Sequence, residues 1–184
     1  MGHVIVTAFV SLDGIVTDPD GSGGTPAGGW AFRHGPETVG GDKFRLGDLM
    51  DTGVLLLGRT TWELFSRLWP NRTDEFSTQM NKMAKVVASH SLTDLSAFPN
   101  STLMKGSLAD YVRSESRTIA VTGSLSVIRE LQAADLVDEY RLMTFPSIVG
   151  TGSQLFGPSD APVHFQLTSV AQTGAASLAT YLRA

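Results

Sequence analysis

Short runs of β-branched and aliphatic residues, each stopping at glycine or a small polar turn and each followed by a segment of helical period, constrain this chain most. Residues 4–10 (VIVTAFV) read as a buried strand, residues 54–57 as a second ending at Gly58, and residues 85–88 as a third. Residues 101–104, 118–121 and 139–145 continue the series, and residues 163–183 hold two strand-like runs around a turn at Gly174. Between them, Trp62, Phe65 and Trp69 follow helical spacing over residues 60–68, and Leu125, Ile128 and Leu131 repeat it up to about residue 134. Thr73-Asp74-Glu75 reads as a helix start for a segment reaching about Met83, residues 107–114 read as helix, and residues 36–51 are expected to form a helix despite Gly40-Gly41. Strands alternating with helices predict an α/β fold: a mixed, mostly parallel sheet with helices on both faces and an antiparallel C-terminal hairpin.

The chain has 184 residues, 42% of them hydrophobic and 17% charged, which suits one globular domain over residues 1–184, with no interdomain linker or repeat visible. A net charge of −4 argues against a broad nucleic-acid surface, because binding a phosphate backbone needs a basic excess. There is no cysteine, so disulfides and thiolate metal sites are excluded, and the four histidines are scattered without ligand spacing; no metal site is expected. No apolar stretch nears the roughly 18 residues of a membrane span, and the N-terminus lacks the cationic region of a signal peptide; a cytoplasmic location is expected.

Two strand-to-helix junctions suggest chemistry: Gly58-Arg59-Thr60-Thr61 and Gly123-Ser124-Leu125-Ser126. Glycine lets a backbone approach a ligand, and a helix N-terminus presents free amides and partial positive charge, so both junctions suit the phosphates of one ligand. Arg59 adds a fixed cation. Ordinary helix caps share this spacing, and the residues alone leave both readings open. Ser89-His90, after the strand at 85–88, offers a hydroxyl and an imidazole to the same ligand, or forms a plain polar turn.

Residues 13–35 form a long glycine-rich loop that includes Gly14, Trp30 and Phe32. Such loops are functional or mobile, and large aromatics within them dock on something. Asp13, at the end of the first strand, and Asp42, in the expected first helix, are the acid candidates; an Asp-Gly turn and a solvated side chain are the plainer readings. Gly150-Thr151-Gly152 lacks the third glycine of a dinucleotide fingerprint, and no Gly-x-Ser-x-Gly elbow is present.

These pieces in this order, with Leu136-Val137-Asp138-Glu139-Tyr140-Arg141-Leu142 and Pro146-Ser147-Ile148-Val149-Gly150, resemble the dihydrofolate reductase superfamily. The likeness is greatest to the reductase domain of bacterial riboflavin biosynthesis and its stand-alone relatives. The resemblance implies a three-layer α/β/α fold and NADPH as hydride donor to a C=N or C=O of a small pterin- or aminopyrimidine-like substrate. It implies an enzyme of the dihydrofolate reductase or 5-amino-6-(5-phosphoribosylamino)uracil reductase type. By the same resemblance Gly14, Gly58, Arg59, Thr60, Thr61, Ser89, His90, Gly123, Ser124, Leu125 and Ser126 bind the cofactor, and Asp13 and Trp30 stand at the reaction site beside the first strand and its loop. Relatives often carry Arg where His90 stands and Gly-Gly where Gly123-Ser124 stands. They pair through the sheet edge or C-terminal strands, so the resemblance also implies a homodimer. A non-catalytic NADP-binding sensor, a reductase of unrelated carbonyl or quinone substrates and a flavin-binding reductase remain alternatives.

Overall fold

The computed structural model describes residues 2–158 and 161–184; Met1 at the start of the first apolar run, and Ser159 and Asp160, lie outside them. Eight strands form one sheet in the order β4-β3-β2-β5-β1-β6-β8-β7. The strand β2 (Val54–Gly58) pairs parallel with β3 (Ala84–Ala88) and β5 (Ile119–Thr122), and β3 pairs parallel with β4 (Ser101–Leu103). By contrast, β6 (Glu139–Phe145) and β7 (Phe165–Thr173) each run antiparallel to β8 (Ala176–Arg183). The first strand, β1, spans Val4–Ser11. This is the mixed α/β sheet with an antiparallel C-terminal hairpin that the alternation of apolar runs predicts.

The chain divides into two compact units, one made of Met1–Val6 and Leu46–Asp138, the other of Thr7–Arg45 and Glu139–Ala184. In the first unit β2 is buried along its whole length, which explains its unbroken Val-Leu-Leu-Leu run: a strand covered on both faces has no polar side to show. Leu55, Leu56, Leu57, Val87, Ile119, Ala120, Val121 and Leu131 are all fully buried there. Each such Val, Leu or Ile contributes about 1.5–3 kcal/mol by leaving water. The helices of this unit are α3 (Arg59–Leu68), α4 (Glu75–Lys82), α5 (Leu108–Ser114) and α6 (Leu125–Ala133). Asp74 caps α4 by accepting from the Ser77 amide at 3.0 Å, and Ser107 caps α5 by accepting from the Asp110 amide at 3.1 Å. Caps of this kind are worth about 1 kcal/mol each.

The expected helix over residues 36–51 does not form. Two four-residue helices, α1 (Pro36–Val39) and α2 (Leu49–Thr52), stand at its ends. Gly41 at φ +73°, Arg45 at +53° and Gly47 at +53° take the left-handed conformation between them, which a continuous helix cannot contain. Asp42 therefore sits in a turn rather than on a helix.

In the second unit the core is an aromatic cluster. Trp30, Ala31, Met143, Phe145 and Ala176 are buried together, with Phe9, Val39, Phe44 and Val149 packed against them. The rings of Trp30 and Phe9 both meet Phe145 edge to face, at 5.7 and 5.1 Å between centroids. The glycine-rich loop is organised by Asp18, whose carboxylate accepts from the Gly23 amide at 2.7 Å and from the amide and hydroxyl of Thr25 at 2.9 and 2.8 Å. Arg141 donates to Glu139 at 2.6 Å and to the carbonyl of Phe44 at 3.0 Å, tying β6 to the end of the 40–45 segment.

Candidate functional site

The loops that follow β2, β3 and β5 enclose one cleft of about 600 Å³ in the first unit. Gly58, Arg59, Thr60 and Thr61 line it from the β2–α3 junction, Ser89 and His90 from the turn after β3, and Ser124, Leu125 and Ser126 from the β5–α6 junction. The carboxyl ends of parallel strands are where open α/β sheets bind ligands. The two junctions the sequence singles out thus converge on one space.

The geometry rests on Ser124. Its amide donates to Thr61 Oγ1 at 2.9 Å, and its own hydroxyl oxygen accepts from the Gly58 amide at 2.8 Å. The two turns are therefore stitched to each other by a reciprocal pair of side-chain bonds. Gly123 at φ +71° and Ser124 at φ +45° both keep left-handed backbone. Serine holds this conformation because the two bonds over-determine a residue that the backbone alone disfavours. A Cβ on Gly123 would make a tight 3.2 Å contact with Thr61 Cγ2, and the positive φ is what favours glycine there.

Neither α3 nor α6 has a side-chain cap at its N-terminus. Their first-turn amides lack intrahelical partners and carry partial positive charge toward the cleft. Arg59 is exposed and holds Glu63 one turn on at 3.4 Å, a surface pair weak enough to be exchanged for a phosphate. Ser89 Oγ accepts from the amides of Ser91 and Leu92 at 3.3 and 3.1 Å and fixes the turn that carries exposed His90. Two amide-rich turns, an arginine and an imidazole thus border one cleft, a set of groups that could hold an anionic ligand. Among the described residues no group of histidine and carboxylate side chains could hold a metal ion.

Asp13, Gly14 and Trp30 belong to the second unit and do not line this cleft. Trp30 is a correction to the sequence reading. It is 4% exposed, its indole N–H donates to the Thr17 carbonyl at 2.8 Å, and its ring packs on Phe145. It offers no face to a ligand and acts as the core residue of the glycine-rich loop. Gly14 takes φ +81° in the turn after β1, where its amide donates to the Ser11 carbonyl and its carbonyl accepts from the Leu155 amide, each at 3.0 Å.

Asp13 accepts from the Ser11 hydroxyl at 2.6 Å, from the Val149 amide at 3.1 Å and from the Gly150 amide at 2.7 Å. Those donors, Ser11 foremost, hold its carboxyl down to about 2. At neutral pH it is an anion whose oxygens are engaged, with no proton to give, and it pins the 146–150 loop to the end of β1. Beside it lies a pair that no local sequence signal marks: His34 Nε2 is 2.8 Å from Ser147 Oγ, across a separation of 113 residues.

Sequence and structure comparisons agree on where this arrangement belongs. The chain resembles in structure a proposed riboflavin biosynthesis protein from Shewanella sp. PV-4, at 22% identity and TM-score 0.74 over 99% of both chains. It resembles a pyrimidine reductase-like protein from Corynebacterium diphtheriae at 12% identity and TM-score 0.61, covering 100% of this chain and 92% of that one. It also overlays on a diaminohydroxyphosphoribosylaminopyrimidine deaminase/5-amino-6-(5-phosphoribosylamino)uracil reductase from Thermotoga maritima, at 16% identity and TM-score 0.61, spanning 57% of that longer chain. No curated protein matches it in sequence. At these identities the overlays speak for the fold. The sequence itself decides the family: residues 2–178 match the model of the RibD C-terminal domain, and the chain belongs to that family.

Proposed function

We propose that the protein is an NADPH-dependent reductase that transfers hydride to a C=N or C=O carbon of a small aminopyrimidine- or pterin-like heterocycle. The observation that carries this reading is the cleft of the first unit, where two uncapped helix N-termini and Arg59 face one space. The residues fit the cofactor: Thr60, Thr61, Leu125 and Ser126 offer backbone or hydroxyl donors for the pyrophosphate, Gly58 and Gly123 shape the backbone of the two turns, and Arg59 with His90 and Ser89 suits a phosphate monoester. When bound, NADPH supplies the hydride from C4 of its dihydronicotinamide. The chain's own part is to bind, orient and exclude water. In the second unit Gly14 sits at the turn after β1, and the Asp13 carboxylate holds the 146–150 loop to the end of that strand.

Mixing the protein with NADPH tests the cofactor claim. Tryptophan fluorescence should quench, and ligand at about 100 times its dissociation constant should add roughly 2.7 kcal/mol of stability. No thermal shift at millimolar NADPH would defeat it. Loss of NADPH absorbance with 5-amino-6-(5-phosphoribosylamino)uracil tests the reaction. A non-catalytic NADP-binding role is the second reading, favoured by the burial of Trp30 and the permanent charge of Asp13; it predicts binding without turnover.

A further inference from the structure

We propose that Glu63 sets how strongly the first unit's cleft prefers a 2′-phosphorylated adenosine cofactor, by competing with that phosphate for Arg59; this rests on the NADPH reading above. Arg59 is the first residue of α3 and lines the cleft, and its Nη1 donates to Glu63 Oε1 at 3.4 Å, one turn along the same helix. On stability grounds this is a poor place for a cation. The first turn of α3 holds no acidic residue, the N-cap Gly58 supplies no side-chain cap, and the amides there already carry partial positive charge. The pair also runs in the less favourable order, with the cation N-terminal to the carboxylate at i, i+4. Helix stability therefore gives no reason for an arginine at this position, whereas an anion in the cleft does.

What borders the cleft points to the kind of anion. Among the described residues lining it none is acidic, and Arg59 contributes a guanidinium. An acidic side chain on the ribose 2′-hydroxyl marks NADH sites, and an arginine accommodates the 2′-phosphate in NADPH sites. Glu63 does not line the cleft, yet its carboxylate reaches that guanidinium from α3. The Arg59 side chain is 53% exposed and that of Glu63 35%, so the pair stands in water and breaks at small cost. Glu63 holds the guanidinium along α3. A 2′-phosphate dianion carries more charge, offers oxygens for a bidentate grip and takes the guanidinium over. Glu63 then stands one turn away as a like charge and weakens the hold. A bare 2′-hydroxyl has no charge to exchange, so Glu63 acts on one cofactor and not on the other. It touches no reacting atom; it is a specificity determinant that works through Arg59.

Titration calorimetry on the full chain with NADPH, NADH and the fragments 2′,5′-ADP and 5′-AMP tests this. Glu63→Gln should tighten NADPH and 2′,5′-ADP about 2- to 5-fold, the worth of a surface ion pair, and leave NADH and 5′-AMP unchanged. Arg59→Ala should weaken NADPH and 2′,5′-ADP by about tenfold or more, spare NADH, and leave the urea midpoint unchanged or higher. In the double variant the gain from Glu63→Gln should disappear, as action through Arg59 requires. Glu130→Gln removes the same charge from the exposed last turn of α6 and should change neither cofactor's affinity. A Glu63→Gln variant that tightens NADPH and NADH alike, or neither, overturns the proposal and leaves the NADPH reading standing. A gain that persists without Arg59, or that Glu130→Gln reproduces, does the same. A wild type that binds neither NADPH nor 2′,5′-ADP at millimolar concentration overturns the NADPH reading and this one with it.

Discussion

Ser124 carries more of the cleft than its size suggests, because one small side chain and its amide connect the turns after β2 and β5. Thr61→Val removes the acceptor for the Ser124 amide while keeping the volume, and leaves a left-handed residue with one anchor instead of two. Losing a buried partner of this kind costs about 1–3 kcal/mol, so the variant should unfold at lower denaturant and bind NADPH more weakly. Titration calorimetry and urea melts check both; unchanged affinity would remove the stitch from the binding site. Asp13 gives a pH signature. Its carboxyl is held at about 2 in the folded chain against an ordinary 3.8, so its contribution to stability is present above 3.8 and is lost as pH falls toward 2. Asp13→Asn should lower the melting temperature at neutral pH and flatten its decline through that acid window. The sequence makes Gly58, Arg59 and Gly123 readable because strand-Gly-helix junctions are local patterns. Trp30 and the His34–Ser147 pair are not readable, since what a loop aromatic docks on and what a histidine faces are settled by partners more than a hundred residues away.

At the level of elements, Lys85 shows how an apolar-looking strand can hide a charge. It is 1% exposed in β3, and its Nζ donates to the carbonyls of Met83 at 2.7 Å, Asn81 at 3.0 Å and Pro99 at 3.1 Å, with the Phe98 ring 4.2 Å away. Burial pushes the amine down to about 8 from an ordinary 10.5. Between those values the unfolded chain binds more protons than the folded one, so stability should rise with pH across that window. Lys85→Met should abolish the rise and, by stranding carbonyls at the start of the strand, cost about 1–3 kcal/mol at pH 7. Thermal melts in a pH series decide it; an identical slope in the variant would sink the assignment. The strands themselves were legible because buried β-branched runs leave few alternatives. The 36–51 helix was not: its hydrophobic spacing competes with Gly41 and Gly47, and positive φ at Arg45 carries no residue-type warning.

The edge of the sheet bears on the whole molecule. The last strand in the order, β7, is nine residues long and mostly exposed, with Leu167 58% and Val170 64% accessible. Read with a period of two, residues three apart lie on opposite faces. The register shift between Leu167 and Ser169 changes this: Leu167 pairs with Tyr181 and Val170 with Ala179, and partners two apart on β8 share a face. The irregularity therefore gathers both apolar side chains on one side of an edge strand, where an isolated chain leaves a sticky surface. We expect that face to pair with a second copy of the chain, burying about 800 Å² per partner. Sedimentation should find a dimer, and Leu167→Lys with Val170→Lys should give a monomer whose unfolding free energy at the monomer level changes by no more than about 0.5 kcal/mol, since neither residue supports the protomer core. A wild type that sediments as a monomer at tens of micromolar would refute the pairing. A dimer that survives both lysines would move it to a different surface.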